Sequence, residues 1–215
     1  MHRQVTTVDV ATPHGAAKAH VQRVAEPRAA LVLGHGAAGG VGSPDLVAAR
    51  DVALEEHVSV ALVEQPYTVA GRRSPAPAKQ LDASWAAVVD QLRAGELAGL
   101  PLVVGGRSLG ARVACRTAEA TRAVAVLCLA FPVHPPGRPE ANRLEELDAV
   151  TVPVLVVQGD RDPFGMPPPA DGRVVVPVPG DHSLKTDVDA VASAVRAWLP
   201  RIVPEAARTT QQVRG

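Results

Sequence analysis

Apolar and polar positions divide the chain into short segments of alternating type. Residues 5–10 and 19–24 alternate in part, with "TPHGA" between them, which predicts two antiparallel strands joined by a turn at a sheet edge. "AALVLGHG" is a continuous apolar run closed by glycines, the form a strand takes when both its faces are buried. Ser43-Pro44-Asp45 then supplies an N-cap residue and a proline at the first helical position, and "LVAARDVALEEH" continues at helical spacing. The alternation goes on. "VSVALVEQP", "PLVVGG", "AVAVLCLAFP", "VPVLVVQGD" and "GRVVVPVPG" read as strands. Residues 78–94, "LGARVACRTAEA", a short piece of "RPEANRLEELDAV", and "DVDAVASAVRAWLP", started by Asp187, read as helices. "YTVAGRRSPAP" is broken by glycine and prolines and reads as a loop.

From Ala29 onward strands and helices therefore alternate, which implies a mostly parallel central sheet covered by helices on both faces. The fold class is α/β, with antiparallel N-terminal edge strands and the strand ending near Val104 at the centre. No repeat or linker divides the chain, so residues 1–203 form one domain and the polar residues 204–215 a fraying tail. A length of 215 residues with 47% hydrophobic content suits one domain with a sizeable core.

Charge and cysteine content narrow the partners. Lys+Arg and Asp+Glu both number 22, so no basic surplus points to nucleic acid, and 2% aromatics leave little for base stacking. The opening "MHRQVTTVDVATPHG" has no apolar core of a signal peptide, and no apolar run reaches membrane-span length. A cytoplasmic protein, monomer or homodimer, with no membrane partner is expected. Cys115 and Cys128 lie in apolar runs away from metal-ligand spacing, which predicts reduced buried thiols and no metal.

Chemistry enters at "VVGGRSLGAR". Gly106-Arg107-Ser108-Leu109-Gly110 is a G-x-S-x-G pattern lying directly between a buried strand and a helix. That context suits a tight turn that projects the Ser108 hydroxyl outward, with Gly106 and Gly110 removing side chains that would collide. A serine needs a base, and the base an orienting carboxylate. On this architecture the chain order is serine, acid, histidine. "VLVVQGDRDPFG" places Asp160 and Asp162 just past a strand, and "VPVPGDHSLK" places His182 just past the next. Asp162 is the choice of acid, because Asp160 lies closer to the strand and suits a turn cap. Asp181 is adjacent to His182, so its side chain points away. "LGHGAAGG" supplies small residues whose amides can approach a substrate oxygen. Ala37, with Ala38 as the fallback, and Leu109 are the expected oxyanion donors.

Together "HGAAGG", "GGRSLGAR", "QGDRDPFG" and "GDHSL" resemble the α/β-hydrolase superfamily over nearly the whole chain. "FPVHPPGRPE", residues 131–140, is similar to the small dienelactone-hydrolase-like branch that includes testis-expressed proteins and a subunit of a chromatin acetyltransferase complex. The resemblance implies an eight-stranded fold or a trimmed version, and a Ser–Asp–His triad without metal or other cofactor. The interval 133–152 is too short for a lid domain, so an open site is expected. His35, Arg107 and Tyr67 stand as candidates for contact with substrate. The competing reading of His35 is a loop histidine that bonds backbone to shape its turn. Arg107 either bonds a neighbouring loop or shapes the pocket. Arg72, Arg73 and Arg138 are candidates for meeting an anionic substrate, against a reading as solvated surface groups. The expected function is a serine hydrolase acting on small esters or thioesters through an acyl-enzyme. The alternative is a non-catalytic binding or scaffold protein on the same fold. Acyl transfer or perhydrolysis would differ only in the acceptor.

Overall fold

The strand that carries the serine motif, β5 (Leu102–Arg107), lies inside a sheet of eight strands in the order β1-β2-β4-β3-β5-β6-β7-β8. The computed structural model describes residues 4–203 apart from 38 and 136. The other strands are β1 (Val5–Thr12), β2 (Gly15–Gln22), β3 (Ala29–Gly34), β4 (Val58–Glu64), β6 (Ala125–Leu129), β7 (Val154–Gly159) and β8 (Arg173–Val178). β1 pairs with β2 and β2 with β4 in antiparallel fashion, and every later pair is parallel. β3, β6 and β7 are buried at every position, which is why they read as unbroken apolar runs. β1 is mostly exposed, as an edge strand is.

Alternation along each strand builds two cores. Val32, Val104, Cys128 and Val156 face one side, against α3 (Ala78–Ala94) and α4 (Leu109–Thr117), with Trp85 and Leu92 at the contact. Leu31, Leu33, Val103, Leu127 and Leu155 face the other, against α1 (Pro44–Glu55) and α6 (Val188–Ile202). Two short helices complete the chain, α2 (Pro66–Val69) and α5 (Leu144–Asp148). No helix among the described residues is long and apolar enough to cross a membrane.

Some boundaries differ from the sequence reading. β2 starts at Gly15 rather than near residue 19. Gly15, at φ +117, pairs with Thr12 directly after the turn, and the buried alternation already includes Ala17. The loop expected at 67–77 begins as α2, because Pro66 takes its first position. α6 runs past Pro200 to Ile202. Ser43 sits at the N-cap of α1 with Pro44 behind it, but its hydroxyl makes no cap bond. The buried Asp45 carboxylate accepts from the Leu46 N–H instead. Cys115 and Cys128 are free and buried, with sulfurs 3.5 Å apart. The tail 204–215 lies outside the described residues.

Candidate active site

β5 ends at Arg107, α4 begins at Leu109, and Ser108 alone makes the turn at φ 51, ψ −107. That conformation is strained for a residue with a side chain. It is held by the Ser108 N–H, which donates to the Leu129 carbonyl at 2.8 Å, and by close backbone contact on the other side. A Cβ on Gly106 or on Gly110 would stand well under 3.0 Å from the Gly34 carbonyl oxygen. The two glycines thus let the end of β3 press against both arms of the turn, leaving the serine side chain free to point out.

The acid and the histidine come from the next two strand ends. His182 Nε2 lies 2.9 Å from Ser108 Oγ, and His182 Nδ1 lies 2.8 Å from Asp162 Oδ2. A carboxylate only accepts, so Nδ1 donates to Asp162 and Nε2 is left to accept from the serine hydroxyl. The Asp162 side chain is 1% exposed. Its Oδ1 accepts from the Phe164 N–H at 2.8 Å, and its Oδ2 also accepts from Gln158 Nε2 at 2.8 Å. The Phe164 ring stands edge-on to the imidazole with centroids 4.4 Å apart. Asp160 accepts from the Gly180 N–H at 2.9 Å, and Asp181 accepts from Ser183. Neither is hydrogen-bonded to the imidazole.

Ser108 opens into a cavity of about 480 Å³ lined by Ala37, Arg107, Leu109, Arg112, Pro132, Arg143, Phe164 and His182. Both expected oxyanion donors are in this wall. Leu109 is the first residue of α4, so its N–H has no partner within the helix. Ala37 lies in a turn closed by the Gly39 N–H on the Gly36 carbonyl at 3.3 Å. Ala38 lies outside the described residues.

Two expected substrate contacts need correction, and a third is reassigned. His35 is 2% exposed and does not line the cavity. Its Nδ1 donates to the Gly36 carbonyl at 2.8 Å and its Nε2 accepts from the Gln65 N–H at 3.2 Å. Burial holds its imidazole below the usual value, outweighing the Gly36 bond and the charge of Glu64. Tyr67 also lies away from the cavity, and its hydroxyl donates to the Ala37 carbonyl at 3.1 Å. Both residues support the turn from behind. Arg107 does line the cavity, but its Nε faces the Asp45 carboxylate at 3.0 Å and its second terminal nitrogen donates to the His182 carbonyl at 3.0 Å.

Sequence reasoning missed Arg112, Arg143, Pro132 and Phe164. Arg112 stands one helical turn after Ser108, a spacing that does carry a signal. The other three reach the wall where the segment after β6, carrying Pro132 and Arg143, meets the segment after β7, carrying Phe164. Arg112 is neutralised by two bonds to Glu146, at 2.8 and 2.5 Å. Arg143 makes no side-chain ion pair or hydrogen bond among the described residues, and burial together with Arg112 lowers its pKa. Arg72 lines a separate cavity with His14 and Tyr67. Among the described residues no group of three His, Cys, Asp or Glu is placed to hold a metal ion.

Comparison with known proteins places the chain by family and by fold. The family model described as Alpha/beta hydrolase domain matches residues 27–197, and the chain belongs to that family. No curated protein matches the chain in sequence. Solved structures similar to it include a lidless α/β serine hydrolase from Xanthomonas campestris, at 19% identity and TM-score 0.78, covering 96% of this chain and 99% of that one. Dienelactone hydrolase from Anabaena variabilis is similar at 17% identity and TM-score 0.76, covering 95% and 100%. Est1E from Butyrivibrio proteoclasticus is similar at 17% identity and TM-score 0.73, covering 91% and 98%. At these identities the likeness is one of fold.

Proposed function

We propose that the protein is a serine hydrolase of small esters or thioesters. The observation that carries this reading is the unbroken chain of contacts from Asp162 through His182 to Ser108, opening on a cavity beside the Leu109 amide. Ser108 Oγ attacks the carbonyl carbon while His182 Nε2 takes the hydroxyl proton. The carbonyl oxygen, now an anion, is held by the Ala37 and Leu109 amides. His182 passes its proton to the leaving alcohol or thiol as that bond breaks. Water, deprotonated by the same nitrogen, then releases the acid and restores the serine.

Among the described residues no separate layer covers the cavity, and short acyl groups suit its volume of about 480 Å³ with few aromatics in its wall. Arg143, which makes no side-chain ion pair or hydrogen bond among the described residues, favours a substrate that carries negative charge near the reacting carbonyl. The narrower likeness, to the branch with testis-expressed proteins and a chromatin acetyltransferase subunit, rests on residues 131–140 and supplies no substrate.

A fluorophosphonate probe tests the reading. Wild type should gain one adduct at Ser108, Ser108→Ala should lose both the adduct and nearly all p-nitrophenyl ester turnover while staying folded, and labelling should fall in His182→Ala. A folded wild type that takes no label, beside a control hydrolase that does, would put the scaffold reading first.

A further inference from the structure

We propose that Arg107 and Asp45 form a positioning pair that fixes the His182 loop against the turn holding Ala37; this rests on the hydrolase reading above. Asp45 is fully buried at the start of α1, far from the reacting atoms in sequence and absent from the cavity wall. A carboxylate in that position must be compensated. One oxygen takes the Leu46 N–H at 3.0 Å. The other makes its ion contact with Arg107 Nε at 3.0 Å, a contact of charge more than of hydrogen-bond alignment.

The rest of the Arg107 guanidinium reaches two further segments. One terminal nitrogen donates to the backbone carbonyl of His182 itself, at 3.0 Å. The other lies so close to Gly36 that a Cβ added there would stand 2.7 Å away. A guanidinium is planar and rigid, so anchoring Nε on Asp45 fixes the directions of both remaining arms. One buried anchor therefore sets the height of the His182 backbone and the seat of the Gly36–Ala37 turn relative to Ser108. Arg107 is the residue immediately before the nucleophile, so the clamp is referenced to β5 as well. With Nε engaged by Asp45 and one terminal nitrogen by the His182 backbone, the side chain is assigned to placing the base, and the effect of its loss on KM separates this from a substrate contact.

The test uses the full chain, with turnover of p-nitrophenyl acetate, the rate of fluorophosphonate labelling, and the melting temperature. R107Q should lower kcat and the labelling rate by about tenfold or more while KM stays within about threefold. R107K keeps the charge on Asp45 but not the two-armed fork, and should recover only part of the loss. D45N should lower labelling in the same direction, and the D45N/R107Q double variant should be no slower than R107Q alone, because both act along one chain of contacts. The double variant also removes both charges, so it carries the test if R107Q fails to fold around a stranded Asp45.

Three results would overturn the proposal. One is wild-type kcat and labelling in folded R107Q with only a lower melting temperature, which is a structural role. Another is a raised KM with unchanged kcat, which is a substrate contact. The third is independent losses that add in the double variant. If wild type itself takes no label, the hydrolase reading falls separately. The positioning claim is then read from the proton resonance of His182 Nδ1, bonded to Asp162. Loss or broadening of that resonance in R107Q or D45N/R107Q supports the clamp, and an unchanged resonance in the folded variant removes it.

Discussion

Asp160 and Asp162 are two residues apart on one loop, yet only Asp162 reaches the imidazole. Asp162→Asn leaves the shape intact but favours the wrong histidine tautomer, and should lower turnover by about a thousandfold or more. Asp160→Asn keeps an acceptor for the Gly180 N–H and should cost far less, with circular dichroism showing both variants folded. The reverse ranking would exchange their roles. His35 carries a different prediction. Its folded pKa lies below the usual 6.5, so as pH falls the unfolded chain binds its proton first. The associated stability is complete above pH 6.5 and is lost as pH falls through the depressed folded value. Melting temperature should therefore begin to drop as pH falls below about 6.5, and His35→Gln should flatten that drop. That Ser108, Asp162 and His182 would meet was legible because each follows a strand end in a fixed order. The cavity wall was not, because Phe164 and Arg143 belong to loops whose meeting point no local pattern encodes. His35 and Tyr67 misled for a related reason: their loops do reach the site, but the side chains turn behind it.

The elements themselves were legible where hydrophobic period and length agreed. α3 matches its sequence reading at both ends, since an amphipathic stripe runs from Ala78 to a glycine after Ala94. The errors fall where one residue overrides the pattern, as Gly15 does for β2 and Pro66 does for α2. The turn between β5 and α4 depends on contact that only glycine permits. Gly110→Ala would drive a Cβ into the Gly34 and His35 carbonyls, which are backbone and cannot swing aside. Overpacking of this kind costs about 1–3 kcal/mol. The variant should melt lower and label slowly, whereas Gly71→Ala, with open space at φ +72, should lose stability without losing labelling relative to folded protein. Equal labelling by folded Gly110→Ala would show that the helix can shift without disturbing Ser108.

At the scale of the molecule, alternation predicted a mainly parallel sheet with β5 inside it, but not the strand order. That β4 lies between β2 and β3 follows from which edges meet in three dimensions, and parallel crossovers leave several orders open to the same pattern. Among the described residues the interval between β6 and β7 holds only α5, and no separate layer there roofs the cavity. Across a graded series of p-nitrophenyl esters, kcat/KM should fall as the acyl chain lengthens; a rise toward long chains would show a groove along the wall. The cavity wall and the contacts joining Ser108, His182 and Asp162 also differ in how freely they can change. Ser108, Asp162 and His182 are held by backbone contacts at Gly106, Gly110 and Gly159 that admit no side chain, whereas Pro132, Arg143 and Phe164 extend from connecting segments. Selection for a new substrate therefore has two unequal sets of positions to draw on. On the hydrolase reading, change at Pro132, Arg143 and Phe164 would alter what a lineage of such proteins accepts while leaving intact the close backbone contacts that seat Ser108.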